Sequence, residues 1–260
     1  MIEVKQGNLT YFRFEIFKPY PELVHGIFTR QGGVSPPPFN NLNMSTSQGD
    51  TSRNVTRNRN IMAESLGFKK TAFVHQVHGT TVLPLKTITD IQAANAIEAD
   101  AMVTDQPDVL LCIKLADCQA VLLYDPARRV IANLHSGWRG SIADIIGKTV
   151  AVMKNAFDCD PARMIAGIGP SLGPCCAEFV HYKKEIPEPF WQYKDDKDRF
   201  DFWQISRDQL IGAGLPIDNI QTARICTKCR SDRFFSYRKE GKTGRFTAAI
   251  GLNPPTCNTI

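Results

Sequence analysis

Residues 131–141 read IANLHSGWRGS, and this stretch sets the fold class. The apolar run IANL is typical of a buried strand that ends near His135. Ser141, followed three residues later by Asp144, resembles a capping box and predicts the start of a helix. Apolar residues continue at helical spacing as far as Phe157. A strand that turns into a helix in this way indicates an α/β protein.

Short apolar runs of strand length fill the middle of the chain and support the same conclusion. They are Phe73-Val74, Ala101–Thr104, Leu110–Leu115, Ala120–Tyr124, Val130–Leu134 and the run MIAGIGP at 164–170. Asp125-Pro126 predicts a turn, so the strands on either side of it should form a hairpin. Neither internal repeats nor a change in composition marks a boundary. We therefore predict one mixed α/β domain over residues 1–260.

Other segments have less regular patterns. Residues 31–49 are rich in Gly, Pro, Ser and Asn and predict a long loop, whereas residues 53–66 predict a helix. Residues 183–201 are charged and contain prolines, and we expect a helix, a loop and a second helix there. The aromatic segment at 233–246, with KEGKTG in its middle, predicts a hairpin.

The composition excludes several classes of protein. The chain has 260 residues, is 43% hydrophobic and carries a net charge of +5 with a pI of about 8.8. Its Lys and Arg residues are scattered, which favours a small anionic substrate over nucleic acid. The N-terminus is too polar for a signal peptide, and no run approaches the ~18 apolar residues of a membrane span. We expect a cytoplasmic protein that uses neither membrane nor nucleic acid, whose eight cysteines are thiols or metal ligands.

Three side chains could form a metal site. His78, Cys118 and His135 each lie where a predicted strand ends or bends, and a shared sheet would bring them together. Two imidazoles and one thiolate suit Zn²⁺, and three protein ligands leave one tetrahedral position open, as in catalytic sites. The alternative is that these are structural histidines and a buried small hydrophobe. His75 could pair with His78, but strand alternation would direct the two side chains to opposite faces.

A second motif, Cys226-x-x-Cys229, is a weaker metal candidate. A zinc ribbon needs another such pair, and the adjacent Cys175 and Cys176 have poor spacing for one. The thioredoxin-like context of a redox CxxC is also missing. These features favour a structural or incidental role for the motif.

Several polar residues beside these motifs could act on a substrate. Asp117 adjoins Cys118 and could carry a proton or cap a turn. Arg30 and Arg139 adjoin glycines, and the planar guanidinium group suits phosphate or carboxylate. As isolated residues these are weak signals.

Taken together, the motifs are highly specific. The chain resembles the YfiH-like family, formerly called multicopper polyphenol oxidase or laccase, which includes the FAMIN-like laccase domain-containing proteins. The resemblance runs from about residue 25 to the C-terminus. It rests on TRQGGVS, LNMS, QVHG, EADAMVT, ADC, LHSGWRG, GIGPSLGPC, CT, FFSYR and TGR, in this order.

The resemblance implies a fold, a cofactor and an activity. The fold would be mixed β-sheets sandwiched between helices, similar to a toxin deamidase domain of the CNF type. The zinc ligands would be His78, Cys118 and His135, with Asp117 and Cys118 in catalysis. Reported family activities are phosphorolysis of adenosine, inosine, guanosine and methylthioadenosine, and adenosine deamination. The substrate-binding residues would be Arg30, Asn43, Gln76, Arg139, Tyr237 and Arg238.

The sequence also allows other activities. An open zinc site suits deamination of adenosine better than it suits phosphorolysis. A multicopper oxidase needs about ten histidines, and this chain has five, so copper should bind only adventitiously. A cysteine or zinc amide hydrolase that edits peptidoglycan precursors would use Cys118 and His135 as nucleophile and base. A zinc-stabilised binding module is disfavoured by the open fourth position. The sequence allows either a monomer or a homodimer.

Overall fold

The computed structural model describes residues 1–254, which form twelve strands and seven α-helices. The strands are β1 (Ile2–Gln6), β2 (Leu9–Arg13), β3 (Leu23–Phe28), β4 (Lys70–Ala72), β5 (Val82–Leu85), β6 (Ala101–Thr104), β7 (Val109–Leu115), β8 (Gln119–Asp125), β9 (Val130–Ser136), β10 (Ile165–Ile168), β11 (Ile220–Thr222) and β12 (Phe246–Leu252). The helices are α1 (Ser52–Ser65), α2 (Ile88–Ala93), α3 (Trp138–Ile142), α4 (Ile145–Phe157), α5 (Tyr182–Glu185), α6 (Phe202–Gly212) and α7 (Tyr237–Glu240).

The strands form two six-stranded mixed sheets. The first sheet has the order β1-β2-β3-β12-β7-β4, and the second has the order β11-β10-β8-β9-β6-β5. Neighbouring strands are antiparallel except at three edge pairs, β4 with β7, β10 with β11 and β5 with β6. Both sheets therefore have an antiparallel centre, and parallel partners occur only at the edges.

The main hydrophobic core lies between the two sheets. Leu111 and Ile113 of β7 and Leu122 of β8 belong to one buried cluster. Asn133 of β9 crosses this interface, because its side-chain amide donates to the carbonyl oxygens of Leu111 and Ala248 in the other sheet. The central strands β8 and β9 are buried along their whole length, which explains their almost continuous apolar sequence.

Helices cover the outer faces of both sheets. Buried residues of α4 and α6, including Val150 and Leu210, pack on the second sheet. Met62 of α1 packs with Leu110 and Cys112 on the first sheet. This arrangement confirms the predicted mixed α/β fold of sheets between helices. The last residues of the predicted domain, 255–260, lie outside the described part of the chain.

Several predicted elements are confirmed. Strands β6 to β10 occur within one or two residues of the apolar runs that predict them, and β8 and β9 form the expected antiparallel hairpin. The helix predicted at 53–66 is α1, whose N-cap Thr51 accepts a hydrogen bond from the backbone N–H of Asn54. The loop predicted at 31–49 contains no helix or strand.

Four local predictions are wrong. Phe73-Val74 is not part of a strand, because β4 ends at Ala72. The helix predicted from Ser141 is divided into α3 and α4, because Asp144 adopts a left-handed conformation and caps α4. The segment 183–201 contains the end of α5 and a 3-10 helix, but the second helix, α6, begins only after it. The hairpin predicted at 233–246 is absent, because Ser236 caps the short helix α7 and only the last residue of the segment lies in a strand.

Candidate active site

The three predicted metal ligands meet at one end of the second sheet. Cys118 immediately precedes β8, and His135 is the penultimate residue of β9. Ala120 of β8 pairs with His135, so the hairpin itself brings the thiol and the imidazole together. The ligand atoms of His78, Cys118 and His135 all lie within 4.8 Å of one another.

His78 reaches the site by a route that differs from the sequence prediction. It lies in the loop between β4 and β5, six residues beyond the end of β4, and not at the end of a strand. Its backbone has a φ of 60°, an uncommon conformation for a residue other than glycine. Because β4 belongs to the first sheet and β5 to the second, this loop crosses between the sheets and carries His78 to the ligands on the hairpin.

A buried carboxylate, Asp100, holds the crossing loop and the histidine in place. One oxygen, Oδ1, lies 2.7 Å from His135 Nδ1 and accepts from the backbone N–H of His78 at 3.0 Å. The other, Oδ2, accepts from the backbone N–H groups of Val77 at 3.2 Å and Gly79 at 2.7 Å. A hydrogen bond from Nδ1–H to Asp100 leaves Nε2 of His135 available as the ligand atom.

At Cys118 and His135, burial and the neighbouring charges shift the pKa in opposite directions. Burial by itself would raise the pKa of Cys118, but the adjacent His135 outweighs it and lowers this pKa to about 6. Burial by itself would lower the pKa of His135, but the Cys118 thiolate and Asp100 raise it to about 9. The thiolate that a metal requires is therefore favoured even before a metal binds.

Gly137 makes room for the three ligands. A Cβ atom at this position would lie 3.0 Å from Cδ2 of His78 and 3.2 Å from Sγ of Cys118. Any side chain there would push against the cluster. The glycine in the sequence motif therefore permits close approach, and its φ of −75° shows that no special backbone conformation is required.

The three ligands open onto a cavity of about 750 Å³. Its aromatic wall consists of Trp138, Phe179, Phe202 and Tyr237. Its cationic group consists of Lys114, Arg139, Arg238 and Arg245. A volume of this size is typical of small-molecule sites, and the combination of aromatic rings and cations suits an aromatic ligand that is bound together with an anion.

Two of the cationic residues that line the cavity, Lys114 and Arg245, are half-buried. Nζ of Lys114 donates to the carbonyl oxygen of Val74 at 3.0 Å. Burial, assisted by the positive charges of Arg59 and Arg245, lowers the pKa of Lys114 to about 8. Burial also lowers the pKa of Arg245, whose guanidinium donates to the carbonyl of Thr243.

Asp117 lines the cavity beside Cys118. Its Oδ1 accepts from the hydroxyl of Thr227 at 2.6 Å, and its Oδ2 accepts from the backbone N–H of Arg238 at 2.6 Å. The backbone of Asp117 has a φ of 87°. A residue other than glycine keeps this uncommon conformation only where surrounding contacts hold it. The carboxylate is therefore held in one orientation at the edge of the metal-ligand cluster.

The predicted substrate-binding residues divide into two groups. Gln76, Arg139, Tyr237 and Arg238 line the cavity, although Gln76 also pairs through its side-chain amide with the backbone of Lys114.

Arg30 and Asn43 do not line it, so their assignment to the substrate stays a prediction that the cavity does not support. Arg30 forms an ion pair with Glu240 at 2.8 Å and stacks over Phe235, so its guanidinium is occupied inside the fold. Asn43 is buried and binds the carboxylate of Asp50 and the backbone N–H of Arg245.

The prediction from sequence does not include three polar residues of this region, Asp100, Lys114 and Arg245, or the aromatic residues of the cavity other than Tyr237. Asp100 lies in the motif EADAMVT and Arg245 in TGR, so each was within a motif that had already been recognised. An acidic residue immediately before a buried strand was the available signal for Asp100. Lys114 interrupts the apolar run of β7 with a charge, which is an informative exception in a buried strand.

Comparison with known proteins identifies the family of this chain. The family model described as multi-copper polyphenol oxidoreductase laccase matches residues 24–253. The chain belongs to this family. A relative from Geobacillus stearothermophilus, named purine nucleoside phosphorylase YlmD, is 31% identical over 253 residues, which cover 90% of this chain and 91% of the relative. Purine nucleoside phosphorylase YfiH from Escherichia coli is 32% identical over 233 residues, with 86% and 91% coverage.

Solved structures from the family have the same fold. A hypothetical protein YfiH from Bacillus licheniformis superposes with a TM-score of 0.86 at 30% identity and covers 96% of this chain and 98% of that one. YlmD from G. stearothermophilus gives a TM-score of 0.85 at 29% identity, with 97% and 99% coverage. The resemblance to YfiH-like proteins that the motifs predict is confirmed.

The donor set does not fit the copper chemistry in the family's description. All five histidines of the chain lie within residues 1–254, and within that range only His78 and His135 share a candidate metal cluster. A blue-copper site together with a trinuclear cluster needs several such groups. Two imidazoles and a thiolate fit a single zinc ion.

In the described residues, no helix is long and apolar enough to cross a membrane.

Proposed function

We propose that this protein is a zinc-dependent purine nucleoside phosphorylase. It would convert adenosine, inosine, guanosine or methylthioadenosine and phosphate into the free base and the pentose 1-phosphate. The observation that carries this proposal is the opening of the His78–Cys118–His135 cluster onto a cavity with both an aromatic wall and a cationic group. The names of the family relatives as purine nucleoside phosphorylases support it.

The aromatic and the cationic side chains of the cavity suit the two substrates. Stacking on the aromatic wall would hold the flat purine and fix the orientation of its ribose. The cationic group would bind phosphate through charge-assisted hydrogen bonds, for which the planar fork of arginine is well suited. Phosphorolysis forms a bond from a phosphate oxygen to C1′ of the ribose and breaks the bond from C1′ to N9 of the purine. Holding both partners in one site supplies much of the rate enhancement.

The departing base needs a proton, and Asp117 is the proposed proton carrier. Two hydrogen bonds hold its carboxylate at the edge of the cavity. A fixed carboxylate can take the proton that hydrogen phosphate loses on forming the ester and pass it to the leaving nitrogen. A zinc ion bound by the three ligands would supply Lewis acidity beside the reacting groups.

Adenosine deaminase activity is proposed as a second reaction of the same site. Deamination replaces the exocyclic amino group of adenine with oxygen from water, and ammonia leaves. It requires an open zinc position and a carboxylate that moves protons, and Asp117 is suited to the second task. Because the substrate is again a purine nucleoside, one cavity could serve both reactions.

A specific observation keeps a hydrolase as the second candidate function. The lowered pKa of Cys118 and its contact with His135 resemble a nucleophilic cysteine and its base, which could cleave an amide such as a peptidoglycan precursor. Metal occupancy separates the two candidates, because a zinc-bound thiolate is not a free nucleophile. Copper-dependent polyphenol oxidation ranks below both.

The deciding experiment follows product formation by zinc-analysed protein. Adenosine, inosine, guanosine and methylthioadenosine would each be incubated with and without phosphate, and the base, the pentose 1-phosphate and inosine would be measured. Cys118→Ala removes a ligand, while Cys112→Ala, in the buried core of the first sheet, is the matched control.

Each outcome assigns a function. Base release that needs phosphate and disappears only in Cys118→Ala would support the phosphorylase. Formation of inosine from adenosine without phosphate would place deamination first. Failure of the zinc-loaded protein to convert adenosine, inosine, guanosine or methylthioadenosine would refute both and favour the hydrolase.

A further inference from the structure

Four cysteines outside the candidate active site meet at one point. Cys175 and Cys176 lie in the loop after β10, and Cys226 and Cys229 lie in the loop after β11. Sγ of Cys229 lies 3.6 Å from Sγ of Cys175 and 3.6 Å from Sγ of Cys176. All four sulfur atoms lie within 4.8 Å of one another. The structure thus supplies the second cysteine pair that the spacing in the sequence did not reveal.

The sheet explains why two distant loops converge. Strands β10 and β11 are parallel neighbours, and their pairing continues beyond both strands through a bridge between Ser171 and Cys226. The backbone N–H of Thr227 donates to the carbonyl oxygen of Ser171 at 3.0 Å. Both loops therefore leave the same edge of the sheet side by side.

We propose that these four cysteine thiolates bind a structural zinc ion. A tetrahedral zinc ion with Zn–S bonds of about 2.3 Å holds its sulfur ligands about 3.8 Å apart, close to the two 3.6 Å separations found here. Four protein ligands close the coordination sphere, which distinguishes this site from the three-ligand cluster in the cavity. The site is a Cys₄ site, and its role is to stabilise the fold.

Hydrogen bonds fix the backbone that carries these cysteines. The N–H of Arg230 donates to the carbonyl oxygen of Cys226 at 2.9 Å, which closes the turn that carries both cysteines of the CxxC. The guanidinium of Arg199 donates to the carbonyl oxygen of Cys175 at 3.4 Å and forms an ion pair with Asp195 at 2.6 Å.

This zinc ion would stabilise the part of the cavity wall that contains Asp117. Thr227, between the two cysteines of the CxxC, donates its hydroxyl to Asp117, and the backbone N–H of Leu172 donates to the carbonyl oxygen of Asp117. Each of the two loops therefore contacts the same carboxylate residue. The proposed Cys₄ site is independent of the reaction in the cavity, since it would form whatever that reaction is.

Metal stoichiometry tests the proposal directly. Full-length protein would be purified under reducing conditions, incubated with excess zinc, dialysed and analysed for zinc per chain. We expect two zinc ions in the wild type, one in Cys229→Ser and one in His78→Ala, because each variant removes a ligand of a different site. Cys159→Ala, a buried thiol outside both clusters, should keep two. An unchanged zinc content in soluble Cys229→Ser would overturn the proposal.

Thiol reactivity in the wild type gives a test that needs no variant. Cys175 and Cys229 are exposed, so iodoacetamide can reach and alkylate both if they are free. We expect mass spectrometry to find both unmodified in the zinc-incubated protein and alkylated after treatment with a strong chelator. Alkylation of both before the chelator is added, or a mass that shows a disulfide between Cys229 and either neighbour, would refute a Cys₄ zinc site.

Discussion

The substitution Asp100→Asn tests how the candidate zinc site is held together. The carboxylate accepts four hydrogen bonds, from Nδ1 of His135 and from the backbone N–H groups of Val77, His78 and Gly79. An asparagine has one oxygen to accept hydrogen bonds and one amino group that donates. In either orientation of the amide, its amino group faces two of these donors.

Each orientation harms the site in its own way. If the amino group faces Val77 and Gly79, the crossing loop loses two hydrogen bonds. If it faces His135, that imidazole must accept through Nδ1, and its proton moves to Nε2, the atom that would bind zinc. Loss of two charge-assisted hydrogen bonds, at about 1.5 kcal/mol each, should lower the free energy of unfolding of the metal-free protein by about 3 kcal/mol.

Zinc affinity is the quantity to measure. Replacement of a carboxylate that orients a ligating histidine typically weakens metal binding about 10–100-fold, which is about 1.4–2.7 kcal/mol. Competition with a chromophoric chelator would give this affinity, in a Cys229→Ser background so that only the cavity site is measured. The control is Asp105→Asn. This exposed carboxylate follows β6, the strand that Asp100 precedes. A folded Asp100→Asn protein with wild-type zinc affinity would refute the argument.

Three further results are expected. Gly137→Ala should lower zinc affinity without unfolding the protein, because the added methyl group presses on His78 and Cys118; chelator competition measures this, and unchanged affinity would contradict the steric argument. The KM for phosphate should rise between about pH 7 and about pH 9, because Lys114, with a pKa of about 8, is charged below that pKa and neutral above it. In Lys114→Met this increase in KM at high pH should largely vanish. A pH profile identical to that of the wild type would exclude a role for Lys114 in phosphate binding. Arg30→Gln should lower the free energy of unfolding by about 1–3 kcal/mol in urea titrations and leave the KM values unchanged, since its partner is Glu240; a large rise in KM would return Arg30 to the substrate site.

Much of the fold could be predicted because local patterns were consistent with it. The central strands are buried on both faces, and burial on both faces requires the nearly continuous apolar runs seen at β7, β8 and β9. Predictions failed where tertiary contacts overrode local pattern. The aromatic residues Phe234 and Phe235 favour a strand, but both lie fully buried in the irregular segment before α7.

The metal ligands could also be identified from the sequence, with the help of the family motifs. Histidine and cysteine are uncommon residues with distinctive chemistry, so His78, Cys118 and His135 were conspicuous beside their glycines. Arginine and asparagine have many structural uses, and nothing in the sequence distinguished Arg30, which pairs with Glu240, from Arg139, which lines the cavity.

The sequence by itself determined the alternation of strands and helices, the residue types available for a metal site and the membership of a family. Each of these depends on local pattern or on side-chain chemistry. Only the tertiary structure decided which distant groups share a space. Asp100 reaches both the crossing loop and His135, and two adjacent cysteines meet a CxxC some fifty residues away, because parallel pairing of β10 and β11 aligns their loops. Such encounters arise from the packing of whole sheets, which short-range sequence patterns do not encode.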